Sequence, residues 1–225
     1  MTEQPRSVGR KQREHGVISV FFALLAAAAA AILALVLHWI WNPSVDDPVQ
    51  ADAIVVLAYG QDRLQEGRLL AESGVSENLV ISISRRMETQ IEDGRLPVLS
   101  PAEVAGNTDS AGLPGPANNG GAWVEQCDTW YSDYYTWCFR PDPNTTEGEA
   151  MAVADLMAAN DWDSVLVVTE RSHLNRSLLI FESCVNADIY GATSTRSGPW
   201  YRDLWRSVYE VASLAKTATV GACSR

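Results

Sequence analysis

The chain has 225 residues, of which 47% are hydrophobic and 20% are charged, and its formal net charge at pH 7 is −11. This composition is typical of a globular protein and excludes an intrinsically disordered chain. The excess of acidic residues argues against nucleic acid as a partner, because phosphate backbones are bound by clusters of Lys and Arg.

The N-terminal part predicts a membrane-spanning helix at 17–40, a segment without Asp, Glu, Lys or Arg. A helix of that length crosses a hydrocarbon core of about 30 Å. A cleaved signal peptide is the alternative, but its apolar region is shorter, about 7–15 residues. Basic residues precede the segment, and Asp46 and Asp47 follow it. The positive-inside rule therefore predicts a single-pass protein of the plasma membrane, with a cytoplasmic tail at 1–16 and the remainder outside.

Four cysteines follow the predicted span: Cys127, Cys138, Cys184 and Cys223. An even number in an oxidising compartment favours two disulfides, and four cysteines allow three pairings. We favour Cys127 with Cys138, which closes a short loop, and Cys184 with Cys223, which attaches the C-terminus to a helix end. Four free thiols are the alternative. No spacing of Cys and His is typical of zinc, so we predict no metal site.

After a linker at 41–50, strands and helices alternate through a domain at 51–225. Apolar runs predict strands, and amphipathic segments predict helices. The predicted strands are 51–60, 78–84, 164–170 and 187–194, and the predicted helices are 62–73, 143–160, 172–184 and 199–218. A strand, a helix and a strand within a short stretch form a βαβ unit with parallel strands. The pattern predicts a three-layer α/β domain with a mainly parallel sheet.

An insertion at 85–140 interrupts this alternation. It is rich in Gly, Pro and Asn at 106–121, and six Trp or Tyr residues follow between positions 123 and 137. Long connections inside a compact domain are usually functional or disordered. One interpretation of the aromatic segment 123–137 is a lid or a sugar-stacking platform over a ligand site. The other is a disulfide-stapled flap that covers apolar surface.

Polar residues follow the first and third predicted strands, at the edge of a parallel sheet where ligands bind. Arg63 follows the first strand, and the stretch NTTEGE at 144–149 opens the helix before the third strand. One interpretation of NTTEGE is a capping box, formed by Thr146 with Glu149 or by Asn144 with Glu147. The other is an anion cradle, with Glu149 facing the cleft.

The third strand ends in Thr169 and is followed by ERSHLNR, which combines basic side chains with a histidine. Arg171 and Arg176 could hold a phosphate or carboxylate beside a helix start, and His173 could donate a proton. Alternatively, the arginines pair with Glu170 and Glu182, Ser172 caps the helix, and His173 is an ordinary residue of the first turn. Neither GxGxxG nor GxSxG is present, so we expect no dinucleotide site and no nucleophile elbow.

Three stretches, ADAIVVLAYGQDRLQEGRLLAESGVSENLVIS, NTTEGEA and VLVVTERSHLNRS, together resemble the ElyC/SanA/YdcF family. The resemblance covers roughly 51–84 and 144–194. It implies a Rossmann-like fold behind one transmembrane helix of a bacterial cell membrane, and a role in envelope biogenesis. The positions that match the family's motifs are Arg63, Asn144, Thr145, Glu147, Glu149, Thr169, His173 and Arg176.

Two functions follow as hypotheses. The first is a site, or a hydrolase or transferase, for a phosphate-bearing cell-wall or lipid-carrier precursor. In it the arginines hold the anion, His173 acts as general acid or base, and Glu149 orients His173 or activates water. The second is a non-catalytic envelope protein that docks a protein partner through 85–140. We predict no particular cofactor; S-adenosylmethionine, implied by some family members, is cytoplasmic and fits an external domain poorly.

Overall fold

The computed structural model of the chain describes residues 8–46, 49–58, 60–106, 123–194, 206–214 and 223. Contacts divide the chain into two compact units, Met1–Trp39 and Ile40–Arg225. The first unit is helical. Helix α1 extends over Val8–Trp41, and its part Ser19–Trp41, with a mean hydropathy of 2.9, is long and apolar enough to cross a membrane.

The second unit is a mixed α/β structure with a mostly parallel central sheet. Its strands are β1 Ala53–Val56, β2 Asn78–Ser82, β3 Val98–Leu99, β4 Val124–Glu125, β5 Thr129–Trp130, β6 Tyr135–Phe139, β7 Ser164–Thr169 and β8 Asp188–Thr193. Its helices are α2 Gln61–Glu72, α3 Arg85–Glu92, α4 Pro101–Gly106, α5 Thr146–Asn160 and α6 Arg171–Cys184. Residues 206–214 are also helical.

The central sheet has the strand order β5-β6-β2-β1-β7-β8. All of its neighbouring strands pair in parallel except β5 and β6, which pair antiparallel. Strands β3 and β4 form a separate two-stranded parallel sheet. The carboxyl ends of the parallel strands therefore meet at one edge, and this edge carries the candidate site.

Strand β1 lies in the middle of the sheet because its sequence AIVV is apolar on both faces. Ile54 and Val56 belong to one cluster of buried residues, whereas Ala53 and Val55 belong to a second. Burying a Val or Ile side chain contributes about 1.5–3 kcal/mol. Apolar contacts on both faces thus hold the strand that ends at the site.

The predicted elements outside the insertion agree with the structure. Strands predicted at 51–60, 78–84, 164–170 and 187–194 correspond to β1, β2, β7 and β8, and the first three predicted helices correspond to α2, α5 and α6. Residues 206–214 of the helix predicted at 199–218 are helical, and the rest of that prediction lies outside the described residues.

The insertion at 85–140 is more structured than its sequence predicted, because it supplies strands to the central sheet. Strand β6 pairs in parallel with β2, from Asn78 opposite Tyr135 to Ser82 opposite Phe139. Its sequence YTWCF has no aliphatic run, so the strand could not be recognised before its partner was known. Both predicted disulfides are present, with Cα–Cα distances of 5.4 Å for Cys127–Cys138 and 5.5 Å for Cys184–Cys223.

Candidate functional site

A pocket of about 670 Å3 lies beyond the carboxyl ends of β1 and β7. The start of α2, the start of α5, the start of α6 and the helical segment 206–214 contribute to its lining. It brings together all but one of the residues that the sequence predicted for the site: Arg63, Asn144, Thr145, Glu147, Glu149, Thr169, His173 and Arg176. Residues from four distant stretches of the chain thus meet in one place.

Arg171 is the predicted anion ligand that the pocket does not include. It is the first residue of α6, its side chain is exposed, and it is absent from the described lining. Successive helical residues are about 100° apart, so Arg171 and Arg176 lie roughly 140° apart around the helix axis. His173 and Arg176 share one face of α6, and Arg171 is on another.

Glu170 lies between two arginines at the pocket wall. Arg63 donates through Nη2 to Glu170 Oε1 at 2.9 Å, and Arg206 pairs with the other carboxylate oxygen. Arg63 also donates through Nη1 to the carbonyl oxygens of Leu57, at 2.7 Å, and Ala58. Burial lowers the pKa of both arginines, and the positive charge of Arg63 lowers the pKa of Arg206 further. The Glu170 carboxylate thus occupies the position between the two guanidinium groups where an anionic ligand would otherwise bind.

Glu149 fastens α5 to the end of β1. Its side chain is 4% exposed, and Oε1 accepts the backbone N–H of Ala58 at 2.7 Å. Ala58 has a φ of 36°, in the left-handed region where a non-glycine residue is strained, so this hydrogen bond holds a strained turn. The two roles predicted for Glu149, orienting His173 and activating water, stay predictions. Among the described residues, the carboxylate beside His173 is a different one.

That other carboxylate is Glu210, from the helical segment 206–214. The Nδ1 atom of His173 lies 3.2 Å from Glu210 Oε1 and 2.9 Å from Arg176 Nη2. Arg176 donates through Nε to Glu210 Oε2 at 2.7 Å. Burial raises the pKa of Glu210, but the contacts with His173 and Arg176 outweigh burial and leave this pKa below its ordinary value. Glu210 is therefore ionised, and its oxygens lie within hydrogen-bond distance of both side chains.

The helix starts at the pocket differ from the capping predicted for them. At α5 the cap is Thr145, whose hydroxyl accepts the Gly148 N–H at 3.2 Å, so neither predicted capping box is formed. At α6 the N-cap is Glu170 rather than Ser172, and its side chain makes no capping hydrogen bond because the arginines hold it. In the described part of the chain, no side chain therefore caps the start of α6, where the N–H groups of His173 and Leu174 bond to the Glu170 carbonyl oxygen.

Thr169 ends β7 beside this helix start. Its side chain is fully buried, it lines the pocket, and its hydroxyl has no hydrogen-bond partner among the described residues. Leaving a buried hydroxyl unpaired costs about 1–3 kcal/mol. The hydroxyl is thus a polar group for which a ligand atom would be a suitable partner.

The pocket has several charged residues in its lining but is not simply cationic. It contains three arginines and four carboxylates, namely Arg63, Arg176 and Arg206 with Glu147, Glu149, Glu170 and Glu210. Sequence analysis missed the contributions of Arg206, Tyr209 and Glu210. The spacing of Arg206 and Glu210 on a predicted amphipathic helix was a signal, but nothing local indicated that this face would meet α6.

The described aromatic residues of 123–137 do not line the pocket. Trp123, Tyr131 and Tyr134 are at most 5% exposed and pack in the core, whereas Trp130 is 60% exposed. The prediction of a lid or platform over the cleft is therefore wrong for the described part of the insertion. The buried positions of these three residues agree with the alternative, a flap that covers apolar surface.

Among the described residues, no three His, Cys, Asp or Glu side chains are grouped as metal ligands would be. Comparisons of the chain with protein-family models, with curated proteins and with solved structures found no match.

Proposed function

We propose that this protein is a membrane-anchored factor of the bacterial cell envelope that binds or processes a phosphate-bearing cell-wall or lipid-carrier precursor. In this proposal the domain is Rossmann-like and three-layered, belongs with the ElyC/SanA/YdcF proteins, and lies outside the membrane with the N-terminus in the cytoplasm. The observation that carries it is the meeting of the uncapped α6 start, the unpaired Thr169 hydroxyl and His173 in one pocket.

The physical support is the chemistry of helix N-termini. Unpaired N–H groups and the helix dipole favour an anion there by about 0.3–1 kcal/mol, and by up to about 2 kcal/mol when partly buried. The hydroxyl of Thr169 can donate to a phosphate oxygen, and hydrogen bonds to charged groups are stronger than neutral ones, at about 1.5–3 kcal/mol. The backbone N–H groups and the Thr169 hydroxyl are neutral donors, so they can bind an anion without an unpaired cation.

Glu170 determines how a phosphate group would reach the arginines. Because Glu170 already bridges Arg63 and Arg206, an entering phosphate has to replace this carboxylate or share the guanidinium groups with it. Phosphate and carboxylate both suit the arginine fork. We therefore expect the pocket to accept a ligand with a low negative charge, such as a phosphodiester or a lipid-linked monophosphate, more easily than a triphosphate.

Turnover at this site would be hydrolysis or transfer at the phosphate-linked group. His173 is the proton donor or acceptor at the ligand, since its Nε2 atom lies on the pocket side, 3.5 Å from Thr146 Oγ1. General acid–base catalysis of this kind contributes typically 10²–10⁴-fold in rate. The paired cysteines support an oxidising location for the domain.

The proposal is tested by ligand binding to the full-length protein in lipid nanodiscs. The panel contains inorganic phosphate, an isoprenyl phosphate and a nucleotide sugar, and the key variant is Thr169→Val, which removes the hydroxyl and keeps the shape. We expect affinity for the phosphate-bearing ligand to fall at least about tenfold. Thermal stability should be unchanged or higher, because an unpaired buried hydroxyl is lost.

Thr136→Val is the matched control. Thr136 is likewise fully buried, and its hydroxyl has no partner within the described ranges, but it lies on β6 and outside the described pocket lining. Binding should be the same as in wild type. Equal binding by all three proteins, or no binding to any ligand of the panel, would refute the phosphate site.

The non-catalytic alternative retains one observation in its favour, the exposed Trp130 on the antiparallel edge of the sheet. Trp130 is in edge contact with Tyr135, at a distance of 5.4 Å between ring centroids. In that case Trp130→Ala, and not Thr169→Val, should abolish the function of the protein in cells.

A further inference from the structure

The Nδ1 atom of His173 has two neighbours with opposite requirements. Arg176 Nη2, at 2.9 Å, can only donate a hydrogen bond, whereas the ionised carboxylate oxygen Glu210 Oε1, at 3.2 Å, can only accept one. A neutral imidazole carries one proton, on Nδ1 or on Nε2. The surroundings of Nδ1 therefore determine which of the two nitrogen atoms carries the proton.

The geometry favours a bare Nδ1. A proton on Nδ1 would face the N–H of a guanidinium group at the shorter of the two distances, and two donors repel each other. Glu210 does not need that proton, because it accepts from Arg176 Nε at 2.7 Å and from Nη2 at 3.4 Å. With Nδ1 as acceptor, Arg176 Nε and Nη2 and both Glu210 oxygens are paired.

The surroundings make this arrangement rigid. The side chains of Arg176 and Glu210 are only 10% and 8% exposed, so water competes weakly for their hydrogen bonds. His173 and Arg176 are three residues apart on α6 and lie on one helix face. Glu210 approaches from a separate segment of the chain and holds the guanidinium group through Nε and Nη2.

We propose that Arg176 and Glu210 form a positioning pair that keeps neutral His173 in its Nε2–H tautomer and directs this proton into the pocket. Arg176 is then a positioning residue and not an anion ligand. The Nε2 atom lies 3.5 Å from Thr146 Oγ1. This distance is longer than the usual 2.7–3.2 Å, so the proton is available for a ligand oxygen. Only the use of this proton rests on the proposed function; the tautomer does not.

The tautomer can be measured without any ligand, by long-range proton–nitrogen correlation NMR of the full-length protein labelled with ¹⁵N-histidine. The chain has three histidines, and His173→Gln identifies the signals of His173. The measurement is made about two pH units above the ordinary histidine pKa of about 6.5, where imidazole is neutral. We expect the Nε2 signal in the protonated region and the Nδ1 signal in the unprotonated region.

Arg176→Met is the deciding variant. It removes the donor at Nδ1 and leaves Glu210 Oε1 as the partner of that atom, so the two nitrogen signals should exchange regions. Arg176→Lys is a second variant, in case Arg176→Met does not fold. The three N–H donors of lysine sit on one nitrogen atom and cannot reproduce the separate Nε and Nη2 contacts of Arg176, so the Nε2–H population should fall. Arg63→Met is the control. Arg63 also lines the pocket but belongs to α2, so its removal should leave the tautomer of His173 unchanged.

Two results would overturn the inference. If wild-type His173 carries its proton on Nδ1, Glu210 is its direct acceptor and the residue is poised as a base. If Arg176→Met folds and keeps the wild-type tautomer, Arg176 does not position His173. Either result can occur with intact phosphate binding, so a failure here is distinguishable from a failure of the proposed function.

Discussion

At the scale of single residues, Glu125 has the most unusual environment in the described part of the chain outside the pocket. It is fully buried, Oε1 lies 2.6 Å from Arg68 Nε, and Oε1 also accepts from the Tyr134 hydroxyl at 2.9 Å. Its second oxygen, Oε2, has no partner among the described residues. Arg68 is shared with Glu72, at 2.8 Å, so one guanidinium group serves two carboxylates.

Glu125 should make the stability of the domain depend on pH. Desolvation raises its pKa from 4.5 to about 7, although Arg68 and Tyr134 oppose the shift. The folded state therefore binds the proton more tightly than the unfolded state. The stabilisation is complete below about pH 4.5, declines as the pH rises, and is lost above about pH 7, a change of about 3 kcal/mol.

We expect Glu125→Gln to remove this decline. Urea unfolding of the wild type and the variant between pH 4.5 and 7.5 measures the difference in the free energy of unfolding, which should change by about 3 kcal/mol in favour of the variant as the pH rises. Glu182→Gln, at an exposed position of α6, is the control and should run parallel to the wild type. A difference between Glu125→Gln and wild type that is constant with pH would contradict the prediction.

At the scale of elements, the start of α5 depends on a close approach of two backbone segments. A Cβ atom at Gly148 would overlap the carbonyl oxygen of Pro143 and lie 2.9 Å from its carbonyl carbon. Because the obstacle is backbone, it cannot move aside as a side chain does. The glycine thus permits the turn that delivers Thr145, Thr146 and Glu149 to the pocket.

Gly148→Ala should therefore destabilise the protein, although alanine normally stabilises a helix by about 1 kcal/mol relative to glycine. We expect a loss of about 1–3 kcal/mol in the free energy of unfolding, typical of overpacking. Gly67→Ala, on α2, is the comparison, since its Cβ would meet the side-chain methyl Val56 Cγ2 at 2.6 Å and not backbone. Urea unfolding should show the smaller loss for Gly67→Ala; a gain in stability for Gly148→Ala would disprove the backbone contact.

At the scale of the whole molecule, two disulfides restrain the second unit over different lengths of chain. Cys127–Cys138 links residues 11 apart, and Cys184–Cys223 links residues 39 apart. The longer link encloses the helical segment 206–214, which brings Glu210 to α6. This disulfide therefore limits how far α6 and the helical segment 206–214 can separate, in the unfolded as well as in the folded chain.

Loop entropy predicts that the longer link contributes more to stability. In the chain-entropy model the stabilisation is about 3 kcal/mol for Cys127–Cys138 and about 4 kcal/mol for Cys184–Cys223. Serine double variants at each pair, compared by urea unfolding under oxidising conditions, should lose these amounts. Wild type unfolded with a thiol reductant should lose more than either variant, and no loss in the Cys184→Ser/Cys223→Ser variant would exclude a restraining role for that disulfide.

The sequence alone determined the features that depend on neighbouring residues. The apolar helix at Ser19–Trp41, the strands β1, β2, β7 and β8, and the helices between them follow from local periodicity and composition. The motif residues were found together because parallel strands end at one edge. The pairing of the cysteines could also be predicted, because it followed from a short loop between Cys127 and Cys138 and from the position of Cys184 at a helix end.

Tertiary structure alone decided the features that depend on pairing across the chain. The place of β6 at the side of β2, the seat of Glu170 between Arg63 and Arg206, and the contact of Glu210 with His173 are examples. A side chain's type limits what it can bind, but its partner depends on which elements pack together. Burial then sets the strength of each contact, because excluding water strengthens a paired charge and penalises an unpaired one.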